Sequence, residues 1–142
     1  FYQSPKGCGS DQCSQEILAL GNPLLWWLAT IAIASLIGYW FYRREKNSTL
    51  ILSGFIAGYL PWFFFPDRTM FTFYAVVILP FMILAVAYLA NELLLHYDRA
   101  RMVITLGFTL IFITFIYFLP IQIGSIISYD QWQARIWLES WI

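Results

Sequence analysis

Four long apolar runs, residues 23–41, 49–65, 70–90 and 102–121, decide what this chain can fold into. Each is close to the length of about 20 residues that an α-helix needs to cross a bilayer core roughly 30 Å thick. In lipid every backbone N–H and C=O must find a partner inside the protein, so runs of this length and polarity become helices. The composition agrees, since 61% of the residues are apolar and only 11% are charged. A water-soluble domain carries about 25% charged residues. The expected fold is therefore an all-α integral membrane protein with four transmembrane helices. Net charge is zero, which gives no electrostatic case for nucleic acid. One His and two Cys offer no cluster for a metal site. The sequence begins at Phe1 and lacks the charged, apolar and small-residue tripartite pattern of a signal peptide, so it reads as a piece of a longer chain or a mature form.

Prolines punctuate the runs. Pro23 stands at the start of the first, where a missing N–H does no harm. Pro80 lies inside the third and is expected to kink it or free a carbonyl, and the fourth ends near Ile121 or runs on past Pro120 to Ile127. The connections are short, so consecutive helices should be antiparallel neighbours. Arg43, Arg44 and Lys46 lie in the first connection and Arg99 and Arg101 in the third, against Lys6, Arg68 and Arg135 in the segments on the opposite side. The positive-inside rule then places the first and third connections in the cytoplasm, and both chain ends and the 66–69 turn outside.

This divides the chain into an extracytoplasmic segment 1–22, a four-helix membrane domain 23–127 and a tail 128–142. Cys8 and Cys13, in GCGSDQC, fall in the first segment. They suit a small disulfide loop in an oxidising compartment; free thiols, or half of a metal site, are the alternatives. Gly54 and Gly58 form a GxxxG pattern that allows close helix packing, although small residues are common in any membrane helix. The tail SYDQWQARIWLESWI is too short and too charged to span. Its Trp132, Trp137 and Trp141 suggest an amphipathic interfacial helix, with Arg135 and Glu139 spaced for an i, i+4 ion pair.

The stretch PWFFFPDRTMFTFY sets Asp67 and Arg68 between two greasy runs. A hairpin needs a polar turn, and solvated turn charges suffice to explain the pair. The alternative is an anion site: Arg68 offers a fixed fork of donors suited to phosphate, within a rim of aromatics that matches a lipid with an anionic head. Asp67 would orient Arg68. Tyr74 either lines the same cavity or is an interfacial tyrosine. Glu92 and Asp98 are expected to pair with Arg99 or Arg101, His96 to be on the surface, and Gln122 and Ser125 to hydrogen-bond between helices.

At these residues the chain resembles a known family. LPWFFFPDRTMFTFYAVVILPF, GCGSDQC followed by GNPLLWWLA, and the closing WQARIWLESWI together resemble the C-terminal four-span region of protein O-mannosyltransferases of the actinobacterial type. The resemblance covers essentially the whole chain. It implies a larger multi-span fold of the lipid-donor glycosyltransferase class. It implies transfer of mannose from polyprenyl-phosphate-mannose to Ser or Thr of exported proteins, with no cofactor and no essential metal, in a bacterial plasma membrane (or the endoplasmic reticulum of a eukaryote). The family's catalytic carboxylate lies upstream, so no catalytic residue is expected in this chain and the fragment alone should be inactive. The N-terminal spans of the parent enzyme, membrane lipid, the lipid-linked donor and acceptor proteins are the implied partners. Outside this family, the residues also suit a noncatalytic four-span scaffold or another lipid-phosphate-sugar transferase.

Overall fold

The computed structural model describes residues 13–65 and 72–138, the side chains of 72–74 excepted. It is mostly helical. Helix α1 spans Pro23–Arg43, α2 Lys46–Tyr59, α3 Leu79–His96, α4 Ala100–Gln122 and the short α5 Tyr129–Gln133. Two-residue strands, β1 at Cys13–Ser14 and β2 at Ile127–Ser128, pair antiparallel.

The ends of α1 follow from its flanking residues. Asn22 caps the start, its side-chain oxygen accepting from Leu25 N–H at 3.2 Å, and Pro23 takes the first turn. At the other end Arg44 adopts a left-handed conformation, φ 53° and ψ 37°, and its N–H bonds the Trp40 carbonyl. That reversal lets Arg44 and Glu45 alone connect α1 to α2.

Among the described residues, three helical stretches are long and apolar enough to cross a membrane: Pro23–Arg43, Ala75–His96 and Ala100–Gln122. The second expected run differs. Its α-helix ends at Tyr59, and Leu60–Phe64, containing Pro61, winds on as a 3-10 helix. Proline lacks the N–H that the next α-helical bond would need, so the tighter winding takes over. The third run also begins as a 3-10 helix, Thr72–Val77, before α3. Pro80 does not kink it, because it falls in the first turn of α3, where no N–H partner is missing. The loop expected at 91–101 is much shorter, since α3 continues to His96 and α4 begins at Ala100. Pro120 does lie inside α4.

The core joins the first three helices. Ala29, Ala32, Ile33 and Leu36 of α1 pack with Ile51 and Leu52 of α2, and with Ile78, Met82 and Ala85 at α3. Alanines at the contact let the backbones approach closely. Gly54 serves the same contact: a Cβ there would lie 2.1 Å from the Phe81 ring, and one at Gly58 would lie 3.0 Å from Ile78. The expected amphipathic tail helix stops at Gln133; the chain turns at Ala134–Arg135, and residues 136–138 are not helical. Trp141 and Glu139 lie outside the described residues.

Candidate functional site

The two ends of the helix set are chemically distinct. One carries β1, β2, the start of α1 and the end of α4. The other carries Arg43, Arg44, Lys46, Arg99 and Arg101.

At the strand end, the segment before α1 is laced to α4. Cys13 pairs with Ser128 and Ser14 with Ile127 across the strands. The Leu18 N–H donates to the Ile121 carbonyl at 2.9 Å, and Gln122 Nε2 donates to the Leu20 carbonyl at 2.9 Å. Asn22 contributes twice, because Nδ2 donates to the Ile111 carbonyl of α4 at 2.8 Å while Oδ1 caps α1. Gly124 turns the chain after α4 at φ 69°, and a Cβ there would lie 2.8 Å from Ile17. Cys13 is disulfide-bonded and buried. Cys8 lies outside the described residues, as do Asp67 and Arg68. Tyr74 is placed only by its backbone, in the Thr72–Val77 3-10 helix.

The strand end also presents a cation, Arg135, that the sequence offered as a charge outside the membrane and as one half of an ion pair. The Arg135 guanidinium lies 4.8 Å from the centre of the Tyr117 ring. Its Nε donates to the Tyr117 carbonyl at 2.8 Å and its Nη1 to the Gln131 carbonyl at 2.6 Å. Tyr117 answers through its hydroxyl, which donates to the Ala134 carbonyl at 2.9 Å. Rings surround this lock: Trp137 lies 4.8 Å from Phe118 and 6.3 Å from both Tyr117 and Trp27, centre to centre. Spacing could not reveal this arrangement, because Arg135 meets a residue 18 positions away.

At the arginine end, Glu45 and Glu92 meet tyrosines, and among the described residues neither forms an ion pair with an arginine. The Tyr39 hydroxyl lies 3.3 Å from Glu45 Oε1 and 3.2 Å from Glu92 Oε2, and the Tyr88 hydroxyl donates to Glu45 Oε2. This corrects the expected pairing of Glu92 and Asp98 with Arg99 or Arg101: among the described residues neither forms an ion pair with an arginine, and Glu92 contacts Tyr39 and, at 4.0 Å, the exposed His96. Arg44 rests over Trp40 and Arg43 beside Tyr42. Three helices thus meet at Glu45, which joins the end of α1, the start of α2 and the interior of α3. A recess of about 390 Å³, lined in part by Tyr39, Arg43, Glu92 and His96, opens beside this cluster. An apolar groove of about 310 Å³ runs between α1, α3 and α4, past Ala32, Leu89, Gly107 and Phe108. Among the described residues no three His, Cys, Asp or Glu side chains gather as metal ligands would.

Comparison with known proteins assigns the chain. Residues 4–141 match the model of the C-terminal four-transmembrane region of protein O-mannosyltransferase. The chain belongs to the protein O-mannosyltransferase family. It is 33% identical to a polyprenol-phosphate-mannose--protein mannosyltransferase of Mycobacterium tuberculosis, over 98% of this chain and 28% of that protein. The same figures hold for the protein of that name from Mycolicibacterium smegmatis. The relative of the same name in Corynebacterium glutamicum is 30% identical over 91% of this chain and 26% of its own length. The chain thus spans less than a third of the length of these mannosyltransferases and matches the family's C-terminal membrane region. No solved structure matches it.

Proposed function

We propose that this chain is the C-terminal membrane part of an enzyme that moves mannose from polyprenyl-phosphate-mannose to Ser or Thr hydroxyls of exported proteins. The observation that carries the reading is the match over residues 4–141 to the mannosyltransferase membrane region, joined to relatives named for that donor and for a protein acceptor. The parent's N-terminal spans supply the remainder of the fold and the catalytic carboxylate. No cofactor and no metal enters the reaction on this reading.

The same reading makes the region four spans. The 14-residue α2 rises roughly 21 Å at 1.5 Å per residue. The five-residue 3-10 helix after it adds roughly 10 Å at about 2 Å per residue. Together they reach the thickness of about 30 Å that a bilayer core requires. Four crossings put the strand end, with the 66–69 turn, outside the bacterial plasma membrane, and the four arginines and one lysine of the opposite end inside it.

The chemistry sets the roles. A Ser or Thr hydroxyl is a weak nucleophile near neutral pH and needs a general base, which the upstream carboxylate provides. The lipid phosphate leaves as an anion, and a fixed cation lowers the barrier for its departure. Arg68 is the candidate for that task, with Asp67 orienting it and Tyr74 on the same wall. The test compares mannosyl transfer to a Ser/Thr peptide by full-length enzyme in membranes, wild type against Arg68→Ala at equal abundance. Loss of transfer in a well-inserted variant is expected. Unchanged transfer would reduce the Asp67–Arg68 pair to a solvated turn.

A further inference from the structure

We propose that Arg135 is a second phosphate-binding residue, holding the phosphate group of a membrane lipid at the strand end, with the lipid's apolar chain lying along the exposed rings of Trp27 and Trp137. The inference rests on the mannosyltransferase reading only for the identity of the lipid, and its geometry stands alone.

Depth comes first. The guanidinium sits over Tyr117, five positions before the end of α4 at Gln122. That is roughly 7 Å inside the helix end at 1.5 Å per residue, the zone where headgroups give way to hydrocarbon. A cation at that depth persists only if it reaches water, a partner or a phosphate.

Its partners among the described residues carry no charge, and Glu139 lies outside them. Both hydrogen-bond acceptors, on Tyr117 and Gln131, are uncharged carbonyls. No carboxylate lies within 4.0 Å of Arg135 among the described residues, where the single ion pair is His96–Glu92. A guanidinium has five N–H donors in a planar fork, and two of them are taken up among the described residues. The lock also fixes where the other donors stand. Pro120 removes the N–H that would bond the Ile116 carbonyl, and the tail folds back to place Arg135 Nε on the very next carbonyl of α4. Two hydrogen bonds, the ring of Tyr117 and its hydroxyl on Ala134 hold the fork in place before any ligand arrives. Preorganised cationic donors of this planar shape suit phosphate oxygens.

The apolar surroundings select a lipid over free phosphate. Trp27 and Trp137 remain 48% and 42% exposed although they lie only 6.3 Å apart, so an apolar wall stands open beside the cation. Soluble phosphate would gain nothing from it, while a lipid chain buries against it.

The phosphate has two sources, the polyprenyl phosphate of the donor and an anionic phospholipid, and the experiment separates them. Full-length enzyme in phosphatidylcholine nanodiscs is titrated with polyprenyl monophosphate and, separately, with phosphatidylglycerol. Wild type, Arg135→Gln and Arg135→Lys are compared. Glutamine can still donate to the Tyr117 carbonyl but carries no charge. Loss of charge-assisted hydrogen bonds predicts binding about ten- to a hundredfold weaker for Arg135→Gln, with a smaller salt dependence than wild type. If polyprenyl phosphate weakens and the donor KM rises with it, the ligand is the donor. If phosphatidylglycerol weakens instead, the site holds bulk phospholipid. Unchanged binding of both lipids to folded Arg135→Gln overturns the proposal. Should Arg135→Gln fail to fold, unchanged binding to Arg135→Lys, which lacks the planar fork, overturns it equally. Wild-type enzyme that binds polyprenyl phosphate but transfers no mannose would defeat the functional reading while leaving this site intact.

Discussion

Asn22 does two jobs, capping α1 and bonding α4, and replacing it separates them. The cap bond to Leu25 N–H is 3.2 Å, at the long end of the N–H···O range, so it is assigned the lower part of the capping scale, about 0.5–1 kcal/mol. The bond from Nδ2 to the Ile111 carbonyl is 2.8 Å and joins α1 to α4. Interhelical hydrogen bonds in membranes contribute about 0.6 kcal/mol on average and up to about 1.7. Ile111 lies in the middle of α4, so its carbonyl keeps its helical partner when Asn22 is removed, and no desolvation penalty is added. Asn22→Ala should therefore loosen the strand end by about 1–2.5 kcal/mol. Asn22→Ser keeps a capping oxygen but cannot reach α4, and should cost about 0.6–1.7 kcal/mol. The assay is the labelling rate of a cysteine introduced at Ile121, which is 1% exposed and lies where the segment before α1 meets α4. Under fast reclosing, labelling rises by the change in opening free energy, about five- to seventyfold for Asn22→Ala. An Asn22→Ala rate within twofold of the parent would refute the reasoning. A serine rate equal to the parent's would show that the α1–α4 bond contributes nothing.

Two further outcomes are expected. Tyr88→Phe removes the hydroxyl that donates to Glu45 and leaves that carboxylate with Tyr39 alone, a loss of about 1–3 kcal/mol; an unchanged thermal midpoint in mild detergent would show that Glu45 does not pin the three helices. A cysteine placed in 42–48 should resist membrane-impermeant thiol reagents in sealed cells and react after permeabilisation; ready labelling in sealed cells would invert the proposed orientation.

What was legible in the sequence was what repeats along a helix or breaks it. The apolar runs gave the positions of α1, α3 and α4, because lipid imposes length and polarity on any crossing segment. Local spacing gave Gly54 and Gly58, which face Phe81 and Ile78. It could not say where Pro80 would fall within a turn, nor that Pro61 would shift the second run into 3-10 winding, since helix starts depend on where the preceding segment packs. Contacts between distant positions were beyond it. Glu92 finds Tyr39, not the nearby arginines, and Glu45 finds Tyr88, because α1 and α3 lie side by side. Arg135 finds Tyr117 because the tail folds back on α4, where a helix had been expected. The resemblance supplied the family, and no periodicity in the chain would have supplied the sugar.

The pairing of β1 with β2 has a consequence for how the region is made. Cys13 and Ser14 are among the first described residues to be synthesised, and their partners, Ser128 and Ile127, are among the last. Throughout the intervening synthesis, the strand edge, the Leu18 N–H and the Leu20 carbonyl wait without the acceptors and donors that α4 and β2 bring. The entropy of closing so long a loop grows only slowly with its length, so the wait delays closure more than it weakens the result. The cap at the strand end is thus a final latch, fastened after α1 to α4 exist, and a chain halted before Ile127 leaves it open.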